Sequence, residues 1–569
     1  MRPGMWADGL TGVGAGARTD GEITRLHAQA GTAGVATTAA AAWLGGATSW
    51  PLLDSLALVG AAAGSVLTAT TVAHRAWWTH PHTRLRRSLG GPVGWLDTHD
   101  LTDTCGAAAV RRHAAGLWPQ RDHPRAPVSW AGWEAGQLVS GPRRVRGRRV
   151  YSPWTRGIGI LGPQGSGKTQ YLIGLLLQAP GAVVVPSTKP ELALATMEAR
   201  ARVGPVAVFN PASLGDLAST LAWDPVAGCS AHACADARAW ALVRGGGAAA
   251  GTERAEFWAQ KAQEIIRAYL MAAALTGQDM GAVMRWANHP DDPAPVHVLT
   301  SHRAVVPTGW VETLTTHLSA APNTRTGYFA TVSSCVGFMD NPTVAAACRP
   351  GPGEHLDAAE FLASAGTLYL IGSSADRRLA PLLTALTEHL FDTAQQLAAT
   401  QPGGRLGVPL AFLLDEVAHT TPVPLDRWAA DSRGWGITVC AVVQSLAQLA
   451  ATWGRDAGEI IWENLPTKVI LPGVANVADL RAMSYLGGER WTARHNDSLS
   501  AGDDGRRSTS MSTTRTREPV IGGDVIATLP RWHAFVLGVA PRPAVVRFTP
   551  GYQLTTSLPD AAAGAGSRP

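Results

Sequence analysis

The chain has 569 residues, 46% of them hydrophobic and 16% charged, and carries a formal net charge of +5. It is too long for one ordinary domain and too apolar for a disordered protein, and its mild basicity admits an anionic partner such as nucleic acid or lipid headgroups without requiring one. Its six cysteines contain no C-x-x-C pair and read as buried or idle thiols in a reducing cytoplasm; Cys229 and Cys234 flank His232, but four good metal ligands are lacking there.

Residues 1–33, rich in Gly, Ala and Thr, read as a flexible leader. Residues 34–90 are expected to form a transmembrane hairpin and a basic segment. Leu56 to Ala73 carries no charge, and a bilayer span needs roughly 20 apolar residues. Residues 34–50, rich in Ala and Thr, are the second candidate span, with Pro51 and Asp54 in the connection. Arg75, His80, His82, Arg84, Arg86 and Arg87 crowd the far side, and Arg18 and Arg25 the near side. Both ends are therefore expected inside and the tip outside. The alternative is a buried Ala-rich helical hairpin. Farther on, "GPRRVRGRRV" (Arg143, Arg144, Arg146, Arg148, Arg149) reads as a solvated hairpin edge or as a patch facing DNA or lipid.

The apolar strand before Gly162 then runs into "GPQGSGKTQ", and a helix is expected from Tyr171 to Leu177. Strands follow at 182–185 and 206–209. This alternation argues for an α/β fold with a mainly parallel sheet covered on both faces, whose first part spans 91–229. Residues 230–350 change character. Phe257, Ile265, Tyr269 and Leu270 recur at helical spacing and strand-like runs nearly vanish, so an inserted all-α domain is expected. The second part of the α/β domain spans 351–558. It has a strand at 367–371, a helix over 382–397, the strands in "LAFLLDE", "ITVCAVVQ" and "TKVIL", and a terminal strand pair in "AFVLGVAPRPAVVRF". The polar run 498–518 reads as a mobile loop or hairpin tip, and 559–569 as a disordered tail.

Gly162, Gly167, Lys168 and Thr169 satisfy G-x-x-x-x-G-K-[ST] in its required setting, strand before and helix after. The backbone of Gly162, Pro163, Gln164, Gly165, Ser166, Gly167, Lys168, Thr169 and Gln170 is expected to cradle the phosphates of ATP. Lys168 would bridge the β- and γ-phosphates, and the Thr169 hydroxyl would bind Mg2+. Only four lysines occur in the chain, and Lys168 stands where a compact ammonium is needed. The second half of such a site is an acid at the end of an apolar strand, and "PLAFLLDE" supplies it. Asp415 would hold Mg2+ through water, and Glu416 would orient and deprotonate the attacking water. His419, which completes a helicase-like D-E-x-H, is taken as incidental. Gln444 ends the next strand and suits a γ-phosphate sensor. Arg433 is either a finger reaching a neighbouring subunit's phosphate or a surface ion pair.

The run "LLDEVAHTTPVPLDRWAADSRGWGITVCAVVQSLAQLAATWG" resembles the TraG/TraD-like type IV coupling proteins of conjugation and type IV secretion. "TKVILPGVANVADLRAMSYLGG", "FNPASLGDLASTLAWDPVAGC" and "STKPEL" continue the likeness. It spans roughly 150–550 and is specific over 408–490. The resemblance implies a RecA-like P-loop ATPase that forms a homo-hexamer at the inner face of the bacterial inner membrane. It implies Lys168, Asp415 and Glu416 as the hydrolytic core, Arg433 as the trans finger and Gln444 as the sensor. The implied partners are single-stranded DNA with its relaxase, or a secreted protein, and components of the secretion channel. One departure is that Pro186-Ser187-Thr188 replaces the usual acidic start before Lys189. The alternatives are an FtsK-like double-stranded DNA translocase, disfavoured by the strand-rich C-terminal region, and an ATP-gated docking protein with little motor activity.

Overall fold

The computed structural model describes Val66, Thr70 and residues 81–556, apart from 119–125, 248–254, 352–353, 374–375 and 502–506. The expected leader, nearly all of the expected hairpin and the expected tail lie outside the described residues. No helix among the described residues is long and apolar enough to cross a membrane. Contacts divide the chain into two units, one of Met1–Gly91 with Glu489–Ile521 and one of Pro92–Gly488 with Gly522–Pro569.

The larger unit is built on an 11-stranded sheet. Its strands are β1 (Gly132–Leu138), β2 (Arg149–Pro153), β3 (Ile158–Leu161), β4 (Val183–Ser187), β5 (Val206–Phe209), β6 (Thr367–Ile371), β7 (Leu410–Leu414), β8 (Ile437–Val443) and β9 (Thr467–Ile470). Two more, β12 (His533–Leu537) and β13 (Ala544–Arg547), follow the smaller unit's β10 (Glu489–Ala501) and β11 (Arg507–Pro519). The order across the sheet is β2-β1-β13-β12-β9-β3-β8-β7-β4-β6-β5. From β9 to β5 every pairing is parallel. From β9 back to β2 every pairing is antiparallel. The arginine run 143–149 forms the β1–β2 connection. Arg143, Arg144 and Arg148 are exposed there, and Arg149 stands 3.5 Å from Glu134.

The parallel strands read as unbroken apolar runs because both faces are covered. All five residues of β4, β6 and β7 are buried. One face receives α1 (Lys168–Gln178), whose Tyr171, Leu172, Ile173, Leu175 and Leu176 join Ile158, Ile160, Leu413 and Val442 in one cluster. Between β5 and β6 the described residues form helices and no strand. Among them are α2 (His232–Gly245) and the 21-residue α3 (Ala255–Leu275). After β6 comes α4 (Ala380–Thr400), tied to α2 where Arg244 Nε donates to Glu388 at 2.9 Å. Phe391 of α4 stacks at 3.9 Å on Trp428 of α5 (Leu425–Trp435), and both rings pack on Phe412 of β7. Then follow α6 (Leu446–Trp453) and, after β13, α7 (Gly551–Thr556).

In the smaller unit β10 and β11 pair antiparallel without a register break from Glu489↔Pro519 to Ala501↔Arg507. The polar run over 498–518 is thus mostly paired strand. Ser, Thr and Arg recur along β11, and Thr513, Thr514, Arg515 and Arg517 are exposed. Arg490 donates to the Leu89 carbonyl at 3.1 Å, just beyond the short helix Pro81–Ser88.

Candidate functional site

Parallel pairing places the C-terminal ends of β3, β4, β7 and β8 on one edge of the sheet, where α/β proteins bind ligands. Leu161 is level with Val443, and Leu414 with Ala441. The glycine loop after β3, Ser187 at the end of β4, the acids after β7 and Gln444 after β8 therefore converge.

The loop turns through two left-handed glycines, Gly165 at φ +79° and Gly167 at φ +101°, a conformation that disfavours any Cβ. Gly167 precedes the first turn of α1, so unpaired helix N–H groups and the positive end of the helix dipole face the loop. Lys168 folds back across it and donates from Nζ to the carbonyls of Gly162 (2.8 Å) and Pro163 (2.9 Å). Burial pulls the Lys168 pKa down, and the carboxylates of Glu416 and Asp415 oppose that shift. Ser166 is buried, and its hydroxyl has no hydrogen-bond partner among the described residues. An orphaned hydroxyl, a buried ammonium and a helix N-terminus around one loop suit a polyanion such as a chain of phosphates. Pro163 and Thr169 are half-buried there, and Gln164 and Gly165 are exposed.

Opposite the lysine stand the two acids. Asp415 is buried and accepts from the Ser187 hydroxyl at 2.9 Å. Burial raises its pKa to about 6; the Ser187 hydrogen bond opposes this, and the neighbouring Glu416 charge adds to it. Glu416 sits at φ +48°, ψ +46°, left-handed for a residue with a Cβ. Outliers of this kind cluster at functional sites. Its Oε1 accepts from Gln444 Nε2 at 3.0 Å and its Oε2 from the Thr188 hydroxyl at 3.3 Å. The site can thus hold a divalent cation between Asp415 and the loop, while Glu416 is aimed by two donors.

Among the expected site residues, the chain brings together the loop, Lys168, Thr169, Asp415, Glu416 and Gln444. It does not bring Arg433 to them. Arg433 lies in the last turn of α5, before β8 begins, and so at the opposite edge of the sheet from its own loop. The strand between is 7 residues long, or roughly 20 Å at ~3.3 Å per residue. Arg433 is exposed there among cations. Arg156 and Arg405 have pKa values lowered by burial and then by the Arg433 charge, and His113 is lowered by burial and by all three arginines.

Three contributors escaped sequence reasoning. Ser187 and Thr188, which read only as a departure from an acidic pattern, are the hydroxyls on the two carboxylates. Gln448 accepts from the Gln444 backbone N–H at 2.8 Å, and its side-chain amide lies 3.3 Å from His419 Nε2. His419 is therefore linked to Gln444 through one residue. Their signal was position alone: the strand end beside an acid, and four residues after the strand-end amide. The Cys229 and Cys234 sulfurs are 3.9 Å apart, and no metal-binding cluster occurs among the described residues.

Residues 409–531, about a fifth of the chain, match the family model described as the TraM recognition site of TraD and TraG. The bacterial conjugative coupling protein TrwBdeltaN70, in its unbound monoclinic form, is similar at 19% identity and a TM-score of 0.50, over 70% of this chain and 87% of that one. The plasmid coupling protein TrwB in complex with ADP and Mg2+ aligns at 18% identity and a TM-score of 0.48, over 73% and 89%. No curated protein matches the chain. The chain is TraG/TraD-like through the matched segment, and its α/β architecture is the fold of a conjugative coupling protein.

The raised Asp415 pKa has a consequence for stability. A folded value of about 6 lies above the ordinary 3.8, so ionisation costs the folded state. That cost is absent below the ordinary value and complete above about 6. Asp415→Asn, measured by thermal unfolding without nucleotide or Mg2+, should melt above the wild type at pH 8 and level with it near pH 4. An equal gap at both pH values would show that ionisation is not the cause.

Proposed function

We propose that the chain is a membrane-anchored coupling ATPase of a conjugation or type IV secretion system. It hydrolyses ATP to recruit and move DNA, single-stranded and relaxase-bound, or a protein substrate toward the secretion channel. The observation that carries this reading is the convergence of Lys168, Asp415, Glu416 and Gln444 on one sheet edge within a chain whose 409–531 segment is TraG/TraD-like. The helical residues 230–350 and the matched segment are the surfaces expected to receive relaxase and other DNA-processing partners.

In this reading the loop N–H groups and Lys168 hold the phosphates, and Thr169 and, through water, Asp415 would hold Mg2+, which would offset phosphate charge. Glu416 takes the proton of the attacking water. Its two oxygens are already held by Gln444 and Thr188, so little reorientation is needed at the moment of reaction. Gln444 touches Glu416 and, through its N–H, Gln448, so a change at the γ-phosphate is passed to the start of α6. Arg433 is exposed and distant from its own loop, as a residue serving a neighbour's site must be. Its cationic surroundings suit a phosphate supplied by that neighbour, and a homo-hexameric ring provides it.

Three outcomes are expected. Purified full-length protein should hydrolyse ATP faster with single-stranded DNA added, and Lys168→Ala should abolish hydrolysis while keeping the wild-type circular dichroism. Equal turnover of the two proteins would remove the loop from the mechanism, and turnover indifferent to DNA would favour a dock over a motor.

Arg433→Ala should bind nucleotide yet lose roughly 10³-fold or more of its rate. Mixing Arg433→Ala with Glu416→Gln subunits should restore part of the activity, because an intact carboxylate can then face an intact arginine. Full activity of Arg433→Ala alone, or no rescue despite demonstrated co-assembly, would rule out a shared site.

The membrane anchor is the hairpin expected within residues 34–78. Full-length protein should sediment with membranes and need detergent for extraction, and a reporter fused at Asp54 should lie outside the cytoplasm. A cytoplasmic reporter or a soluble full-length chain would overturn the anchor.

A further inference from the structure

Beside the glycine loop stands a group of aromatic side chains that the hydrolytic residues do not employ. β12 and β13 pair from Val536↔Ala544 to His533↔Arg547. One step beyond, the Phe548 N–H donates to the Trp532 carbonyl at 2.9 Å. Trp532 is held at φ +65°, a left-handed conformation that bulky residues rarely adopt. Its indole lies against the loop: a Cβ on Gly167 would stand 3.1 Å from Trp532 Cζ3 and 3.7 Å from Phe548 Cζ. Trp532 meets Phe548 edge to face at 5.9 Å and Tyr552 at 6.0 Å. The Tyr552 N–H donates at 2.9 Å to the side chain of Gln170, the residue that follows Lys168 and Thr169. Phe548 is buried, but Trp532 is only half-buried and Tyr552 is 49% exposed.

Burial explains Phe548. It does not explain a strained tryptophan and an exposed tyrosine at the rim of a phosphate site. Sheet order does. Relative to β3 and its loop, the acids lie on the β8–β7 side, and Trp532 and Phe548 flank the strands of the β9–β12–β13 side. A nucleoside triphosphate whose terminal phosphate faces Asp415 and Glu416 must direct its ribose and base away from them, toward the aromatic rim. The exposed Arg531 guanidinium lies over the Trp532 ring at 4.6 Å. That ring face therefore already accepts a flat, partly hydrated group, and a long exposed side chain can give way to a base.

We propose that Trp532, with Tyr552 beside it, is the nucleobase platform of the loop, resting on the reading that the loop binds a nucleoside triphosphate. The left-handed backbone at Trp532 is the strain that sets the ring in place. The recognised chemistry is the flat face of a base.

Calorimetric titration of the full-length protein with ATP and with inorganic tripolyphosphate separates the base from the phosphates. Trp532→Asn removes the ring but suits the left-handed backbone, which Asn tolerates. It should bind ATP roughly ten- to a hundredfold more weakly than wild type and tripolyphosphate equally well. Trp532→Phe should recover most of the loss, and Tyr552→Ala should show a smaller one. In steady state Trp532→Asn should raise KM and leave kcat near wild type. Unchanged ATP affinity in Trp532→Asn, or parallel loss of both ligands, overturns the platform, the second outcome showing that the indole only packs under the loop. Wild-type protein that binds neither ligand overturns the nucleotide reading itself.

Discussion

Two carboxylates side by side at the end of a buried strand are the constraint around which the site is arranged. Asp415 and Glu416 follow β7, all of whose residues are buried, and like charges there repel while losing water. The fold meets the cost with short-range partners. Ser187 donates to one acid, Thr188 and Gln444 donate to the other, and the Lys168 ammonium stands opposite both. The partners come from the ends of three strands, β3, β4 and β8, so the site exists only when these and β7 are paired in parallel register. Glu416, in its left-handed turn, meets Thr188 and Gln444, while Asp415 meets Ser187.

The same edge shows how one chain separates holding from reacting. In the proposed reading the glycine loop and α1 offer backbone donors and a positive helix end to the phosphates. Thr188, Glu416, Gln444 and Gln448 form a chain of hydrogen bonds, its last link made by the Gln444 backbone N–H, which changes when one member changes partner. The glycine loop follows β3, and the acids and the strand-end amide follow β7 and β8 on one side of it.

Much of this was legible in the sequence because it is local. The apolar run before Gly162, the glycines that need positive φ and the acids after five apolar residues all carry their meaning within a few positions. The strand at 206–209 and the strand and helix that follow residue 366 are likewise local patterns of period and burial. What was not legible depends on pairing between distant segments. Nothing near Ser187 or Thr188 announces that β4 lies against β7, and so hydroxyls in place of an acid read as a loss. Nothing near Trp532 announces that the β12–β13 pair returns to the glycine loop. The antiparallel addition of β12, β13, β1 and β2 to a parallel sheet joins residues some 400 positions apart. The run 498–518, polar on both faces, lacks the alternation by which a half-buried strand is recognised, although most of it is paired.

β8 begins just after the turn that carries Arg433 and ends just before Gln444, with all of its residues buried. It therefore acts as a ruler, since its length sets how far the exposed Arg433 stands from the acids after β7. Strand geometry makes that ruler graduated. Adding or removing two residues would keep every side chain on its own face and change the span by about 7 Å, whereas a change of one residue would exchange the side chains packed on its two covered faces. The spacing between the two edges can thus drift in evolution only in steps of two.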